Sequence, residues 1–390
     1  MGIQRHELFF YCRAGFEPDL GREVRDWAQA RGAGGRVEAP GGGGYVRFAA
    51  AGEKEAAALA GALRRFTLVF ARQWFRVLFE LQPGKGGDVV RGVMEGLGEA
   101  ARRFRAAPRV REVLAEAPDS DAGRLLWPRL EGLGEAVAAG AAERRWLRPA
   151  GRGAPRLHVC LLPGGRVLVG VSDPRGSAPW PMGIPRLRLP PGAPSRSARK
   201  VEEALVVLLD EPERAKMLKP GRRVVDLGAA PGGWSWQFAR RGLLVTAVDN
   251  GRLAPEVLET GLVDHVRMDG FTYRPERPVD WMVCDMVKAA ERVARLVGVW
   301  GARGFARCCL FNWKLPNRDR LREVRRCRAV VERELGRAGV PYTLRLRHLY
   351  HDREEVTGFL SVRGPGGAPA ARRTRRPGTR KRARGRPRRA

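Results

Sequence analysis

Four aspartates and a lysine, all in the second half of the sequence, close or follow apolar runs. Asp226 stands in Val224-Val225-Asp226-Leu227, Asp249 ends the run 243–248, Asp269 follows 265–268, Asp285 follows 280–284, and Lys314 follows 308–313. A single aspartate in such a place is most often a turn residue or a helix N-cap. Five charged residues ending five consecutive candidate strands are a different matter. Ligands of open α/β sheets bind at the carboxyl ends of the strands. The first run continues as Gly228-Ala229-Ala230-Pro231-Gly232-Gly233-Trp234, with a helix expected from Ser235 to Arg241. A strand, a Gly-rich turn and a helix bring bare backbone close to a ligand. A Cβ at Gly228 or Gly232 is expected to clash with an adenosine-bearing cofactor held there. The loop lacks the G-x-G-x-x-G of a dinucleotide site and the Gly-Lys-Ser/Thr of a phosphate loop. Asp249 lies 23 residues beyond Asp226, which suits an acid that accepts hydrogen bonds from ribose hydroxyls.

The elements that must hold these residues form an α/β chain. Residues 7–12 read as a strand, 17–31 as a helix, 45–49 as a strand, 53–65 as a helix and 70–81 as a strand, a ferredoxin-like order. Gly-rich residues 83–87 interrupt it. A second α/β unit follows: a helix over 88–105, a strand at 110–115, a long helix over 128–146 and a hairpin of 156–162 with 166–171. Seven prolines fall in 173–194, which reads as a linker or functional loop. A helix to about Leu209 precedes the Gly loop, and strands 342–349 and 356–362 end the core.

Composition bounds the partners. The chain has 390 residues and a formal net charge of +31, which points to a polyanion, with nucleic acid first. Eleven Lys/Arg and no acid lie in 364–390, so the remainder still carries about +20. That tail is expected to be disordered and to add salt-sensitive RNA affinity. Arginine enrichment from a GC-rich genome is the alternative source of part of the charge, and it says nothing against RNA. Cys12, Cys160, Cys284, Cys308, Cys309 and Cys327 show no C-x-x-C spacing. They read as buried thiols of a reducing compartment, and no metal site is expected. Charges at Arg5 and Glu7 argue against a signal peptide. No apolar run approaches the ~20 residues of a membrane span. The expected location is the cytoplasm.

Asp226-Leu-Gly-Ala-Ala-Pro-Gly-Gly233 resembles motif I of S-adenosylmethionine-dependent methyltransferases, in the form of the FtsJ-like ribose methyltransferases. That resemblance implies a Lys-Asp-Lys-Glu set, which falls on Lys200, Asp285, Lys314 and Glu355. The chemistry suits such a set. A ribose 2′-hydroxyl is a poor nucleophile, so a base must take its proton as the oxygen attacks. Lys314 is the expected base and must be neutral to act. The expectation is therefore a pKa below the ordinary lysine range, pushed down by Lys200 and limited by Asp285 and Glu355. Glu354 is the alternative to Glu355. An amino-methylating enzyme would carry Asn/Asp-Pro-Pro-Tyr/Phe where this chain reads Cys284-Asp285-Met286-Val287.

The likeness extends further. Cys12-Arg-Ala-Gly-Phe-Glu17, Phe70-Ala-Arg-Gln-Trp-Phe75, Met182-Gly-Ile-Pro-Arg-Leu187, Ala193-Pro-Ser-Arg-Ser197, Trp281-Met-Val-Cys-Asp-Met286 and Leu349-Tyr-His-Asp-Arg-Glu-Glu-Val-Thr357 resemble, in order, the RlmM family of bacterial 23S rRNA ribose methyltransferases. The resemblance implies a C-terminal Rossmann-like methyltransferase domain behind a ferredoxin-like and THUMP-like RNA-binding half. The implied units are 1–84 ferredoxin-like, 85–172 THUMP-like, 173–194 linker, 195–363 methyltransferase and 364–390 basic tail. It also implies 2′-O-methylation of a cytidine in the peptidyl-transferase region, on 23S rRNA or a large-subunit assembly intermediate, by a monomer. The cofactor S-adenosylmethionine is expected at Ser197, Asp226, Gly228, Ala230, Pro231, Gly232, Gly233, Trp234, Asp249, Asp269 and Asp285. Ala230 stands where this family can have Cys. Two other readings stay open: the same chemistry on another RNA, such as tRNA or cap ribose, and a non-catalytic rRNA-binding assembly factor.

Overall fold

The computed structural model describes residues 6–83, 88–104, 109–148 and 153–362. The basic tail 364–390 and most of the Gly-rich break at 83–87 lie outside them. Two seven-stranded sheets make up the chain. The first holds β1 (Glu7–Tyr11), β2 (Gly35–Glu38), β3 (Tyr45–Ala50), β4 (Gln73–Leu81), β5 (Glu112–Glu116), β6 (Arg156–Leu161) and β7 (Val167–Ser172), in the order β2-β3-β1-β4-β7-β6-β5. The two front units therefore share one continuous sheet, joined where β4 pairs antiparallel with β7. The short strand β2 escaped the sequence reading because Gly35-Arg36-Val37-Glu38 is mostly exposed and has no apolar alternation to reveal it.

The second sheet holds β8 (Arg223–Leu227), β9 (Leu244–Val248), β10 (Val263–Val266), β11 (Val279–Cys284), β12 (Ala306–Lys314), β13 (Tyr342–Arg347) and β14 (Glu355–Val362), in the order β10-β9-β8-β11-β12-β14-β13. Strands β8 to β12 run parallel, and β14 joins β12 antiparallel. Buried on both faces, a parallel strand reads as a near-continuous apolar run, as Trp281–Cys284 of β11 does. The strand order reverses between β8 and β11, which is where an open α/β sheet places its ligand crevice. The third parallel strand is Val263–Val266, two residues earlier than expected, so Asp269 sits in the loop beyond the strand.

Helices Ala290–Ala302 and Arg320–Arg337, neither of which was read from the sequence, pack one face of this sheet. Trp300 and Trp313 are fully buried in that layer, and Trp281 is buried on the opposite face of the sheet, against Phe238 and Phe359. The two halves dock directly. Leu321 N–H donates to Asp19 at 3.2 Å, and the His348 N–H donates to the Val69 carbonyl at 2.9 Å. Phe16 stacks on His348 with ring centroids 4.1 Å apart. Arg72 and Arg13 donate to the carbonyls of Leu349 and Asp352, each at 3.1 Å. The front half thus braces the corner 348–354 that leads into β14. All six cysteines are free and buried. Among the described residues no helix is long and apolar enough to cross a membrane, and no group of three or more His, Cys, Asp or Glu could hold a metal ion.

Candidate active site

Three strand ends and one helix bring four charged side chains together. Lys314 is the last residue of β12, and its Cα is the cross-strand partner of Glu355, the first residue of β14. Asp285 follows β11, which runs parallel to β12. Lys200 projects from the first turn of helix Ser197–Leu208, whose Val201, Ala204, Leu205 and Leu208 are buried in the core. Lys314 Nζ donates to Asp285 Oδ1 at 2.5 Å and also to Glu355. Lys200 Nζ donates to Glu355 and lies 3.9 Å from Asp285 Oδ2. Glu355 therefore bridges the two ammonium groups. Glu354, by contrast, turns outward and accepts from Arg320 at 2.6 Å.

Electrostatics here differ from the sequence expectation. Burial disfavours the Lys314 ammonium, but the adjoining Asp285 and Glu355 carboxylates outweigh it, and the Lys314 pKa is raised rather than lowered. Burial likewise disfavours the Glu355 carboxylate, yet Lys314 and Lys200 hold its pKa below the ordinary glutamate value. Without ligand the site is a mutually neutralised set in which Lys314 keeps its proton.

The glycine loop lies beside this set. Gly228 (φ +78°) and Gly232 (φ +108°) occupy the left-handed side of the backbone map, which strongly favours glycine. The expected clash is of another kind: a Cβ on Gly228 would lie 2.3 Å from Met286 Cγ, and one on Gly232 would lie 2.6 Å from Val257 Cγ2. These glycines are required first by the protein's own packing, which sets the shape of the crevice. A Cβ on Gly233 would meet Ser195 Oγ and Ser197 Oγ, so Ser197 does stand against the loop. Asp249 accepts from the N–H groups of Ala230 (3.1 Å) and Gly251 (2.7 Å), and Pro231 offers its carbonyl to Ala254 N–H at 2.9 Å.

Not every expected contact residue presents its side chain to the crevice. Asp249 and Asp285 are half-buried, and Pro231 and Asp269 are exposed. Asp269 accepts from Phe271 N–H at 2.9 Å. Trp234 is 3% exposed, packed under helix Ser197–Leu208, so its side chain belongs to the core. Asp226 is 1% exposed and accepts from the Ser235 hydroxyl at 2.7 Å; it braces the loop from behind. Residues that sequence reasoning missed include Met286 and Val257, whose packing the glycines accommodate, and Asn312, which donates to Asp285 at 2.9 Å. A polar residue inside the apolar run Cys308–Trp313 was the available signal for Asn312.

Three buried acids carry raised pKa values, each mainly through burial: Asp226 to about 7, Glu23 to about 7 and Asp352 to about 8. Unfolded, such groups ionise near pH 4. Between those limits the folded chain holds protons that the unfolded chain has lost, so stability must fall as pH rises. His348, kept neutral by burial, opposes the trend only below about pH 6.5. The melting temperature of the ligand-free protein is therefore expected to fall between pH 6 and 8. A melting temperature that rises across that window would contradict these assignments.

The crevice presents close-packed glycine backbone, the half-buried carboxylate of Asp249 and, beside Lys314, that of Asp285, a donor and acceptor set compatible with a cationic, ribose-bearing cofactor. Among solved structures the chain is similar to a putative methyltransferase complexed with SAH, at 12% identity, covering 92% of this chain and 98% of that one, with a TM-score of 0.32. Residues 5–75 match the RlmM ferredoxin-like domain, and residues 193–333 match the FtsJ-like methyltransferase domain. The chain is 45% identical to the ribosomal RNA large subunit methyltransferase M of Methylococcus capsulatus, over 91% of this chain and 98% of that protein. It is 44% identical to the protein of the same name from Xanthomonas campestris pv. campestris, over 92% and 99%. Identity of this extent, running through both halves, places the chain in the family of ribosomal RNA large subunit methyltransferase M, S-adenosylmethionine-dependent enzymes with an FtsJ-like catalytic domain.

Proposed function

We propose that the protein methylates the 2′-hydroxyl of a cytidine in the peptidyl-transferase region of 23S rRNA, acting as a cytoplasmic monomer on the rRNA or a large-subunit assembly intermediate. The observation that carries this reading is Lys314 held between Asp285 and Glu355, with Lys200 on the far side of Glu355. Bound S-adenosylmethionine supplies a methyl group already activated on a positively charged sulfur. The loop 228–233 holds the donor through its backbone, and Asp249 accepts from its ribose. Lys314 takes the proton of the attacking hydroxyl, while Asp285 and Glu355 fix the amine in place and Lys200 supports Glu355. The front half, including the THUMP-like unit 85–172, binds the RNA and braces the corner ahead of Glu355.

Lys314 must first lose the proton that the ligand-free site holds. A cationic methyl donor, if held by the loop 228–233, would oppose the Lys314 ammonium charge and lower that barrier. Turnover still requires a neutral lysine, so single-turnover rates are expected to rise about tenfold per pH unit between pH 6 and 7.5. A flat profile over that window would argue against a lysine base. Substrate choice is tested by incubating the protein and labelled S-adenosylmethionine with separated RNA fractions from a strain lacking it. Label in 23S rRNA is expected. Label confined to tRNA would move the same chemistry to another RNA.

A further inference from the structure

Behind Asp285 runs a buried polar chain that the tetrad does not include. Asn312, Thr357 and Asp352 are each fully buried. Asn312 and Thr357 are cross-strand partners on β12 and β14, two residues along from the pair Lys314 and Glu355, and so on the same face. Asn312 Nδ2 donates to Asp285 Oδ1 at 2.9 Å. A carboxylate only accepts, so the amide must turn its nitrogen to Asp285 and its oxygen to Thr357. Thr357 Oγ lies 2.7 Å from Asn312 Oδ1, and 2.9 and 3.0 Å from the two oxygens of Asp352.

The hydroxyl has one proton for two neighbours. Asn312 Oδ1 can only accept, so Thr357 must donate to it. The contact between Thr357 and Asp352 is then a hydrogen bond only if Asp352 is the donor, which requires its carboxyl to be protonated. Asp352 Oδ2 meanwhile accepts from Leu349 N–H at 2.9 Å, leaving Oδ1 to carry the proton. We propose that Asp352, as the neutral acid, orients the Thr357 hydroxyl onto Asn312 and through it fixes the Asn312 amide on Asp285. Asp352, Thr357 and Asn312 are thereby positioning residues for the Lys314–Asp285 pair. This deepens the proposed function and rests on it.

The surroundings agree with a neutral Asp352. It faces Glu355 on β14 and Glu203 on helix Ser197–Leu208, both of which oppose its ionisation, and Lys200, which favours it. Arg13 from the front half is committed to the Asp352 backbone carbonyl. His348, on the same corner, is held neutral and hydrogen bonds the Arg353 carbonyl. Burial, first among these influences, moves the Asp352 pKa to about 8. Ionised, Asp352 would claim the Thr357 proton. Asn312 Oδ1 would lose its buried donor, the amide would be free to turn, and Asp285 would rely more heavily on the Lys314 ammonium, making that lysine harder to deprotonate.

The test is the single-turnover rate against pH, with labelled S-adenosylmethionine and 23S rRNA from a strain lacking the protein. The parent profile is expected to rise and then bend near pH 8. Asp352→Asn keeps the geometry, its amide donating to Thr357 as the acid did. It should stay within about threefold of the parent at pH 7 and lose the bend. Thr357→Val should lower the rate about tenfold or more, with KM for S-adenosylmethionine within twofold. The inference is overturned by a bend that persists in Asp352→Asn, by Asp352→Asn being as impaired as Thr357→Val, or by Thr357→Val staying within twofold of the parent. Lys314→Ala in the same assay separates the two levels: turnover retained there removes the tetrad reading itself, whatever Thr357 does.

Discussion

Lys314→Ala is expected to lower methyl transfer by about three orders of magnitude while leaving S-adenosylmethionine affinity within a few-fold of the parent. Loss of a positioned general base typically costs 10²- to 10⁴-fold. This site offers no substitute: Lys200 is committed to Glu355, and the same lysines hold the Glu355 carboxylate ionised. Lys314→Arg sharpens the point. Arginine preserves the charge and can still reach a carboxylate, but it does not give up a proton near neutral pH. If Lys314 acted only as a cation, Arg would rescue; as a base, Arg should be as inactive as Ala. Single-turnover transfer together with calorimetric titration of S-adenosylhomocysteine measures both quantities. A Lys314→Arg enzyme with near-parental turnover would remove Lys314 as the base.

The second large effect is expected at Gly232. Its φ of +108° is a conformation that alanine adopts only under strain, and the new Cβ would lie 2.6 and 3.1 Å from the two Val257 methyl carbons. Val257 is β-branched and fully buried, so it has little room to move. Strain of this kind costs of order 1–3 kcal/mol, and the loop must shift to relieve it. Gly232→Ala should therefore weaken S-adenosylmethionine binding about 10- to 100-fold, since each 1.4 kcal/mol is about tenfold. Gly221→Ala is the control. Gly221 also has a positive φ, +79°, but a Cβ there meets nothing within 4 Å, and it lies before β8, away from the crevice. It should lower stability a little and leave binding unchanged. Parental affinity in Gly232→Ala would show that the loop's shape does not depend on that glycine.

Much of the candidate site was legible in the sequence because it lies at the ends of buried parallel strands. Such strands appear as apolar runs, and a charge that ends one is conspicuous; Asp249, Asp285 and Lys314 were all found that way. Motif I was legible because glycine is required at backbone conformations other residues resist. What escaped has physical reasons. Strand β2 is exposed and lacks a pattern. Helix Arg320–Arg337 is so rich in arginine that its buried stripe of Leu321, Val324, Cys327, Val331 and Leu335 is hard to see. The charge state of Lys314 depends on how closely two carboxylates approach it, a distance that spacing along the chain does not reveal. The chain from Asp352 through Thr357 and Asn312 to Asp285 joins four residues from three separate stretches, and only β-strand register brings them together.

The most direct measurement is nucleoside analysis after methyl transfer. Labelled S-adenosylmethionine, the protein, and 23S rRNA from a strain lacking it are incubated, and the RNA is digested to nucleosides and separated. A lysine base between two carboxylates, acting on a ribose hydroxyl, predicts label in 2′-O-methylcytidine and its loss with Lys314→Ala. Label on a base, or 2′-O-methylcytidine formed equally well by Lys314→Ala, would contradict the account.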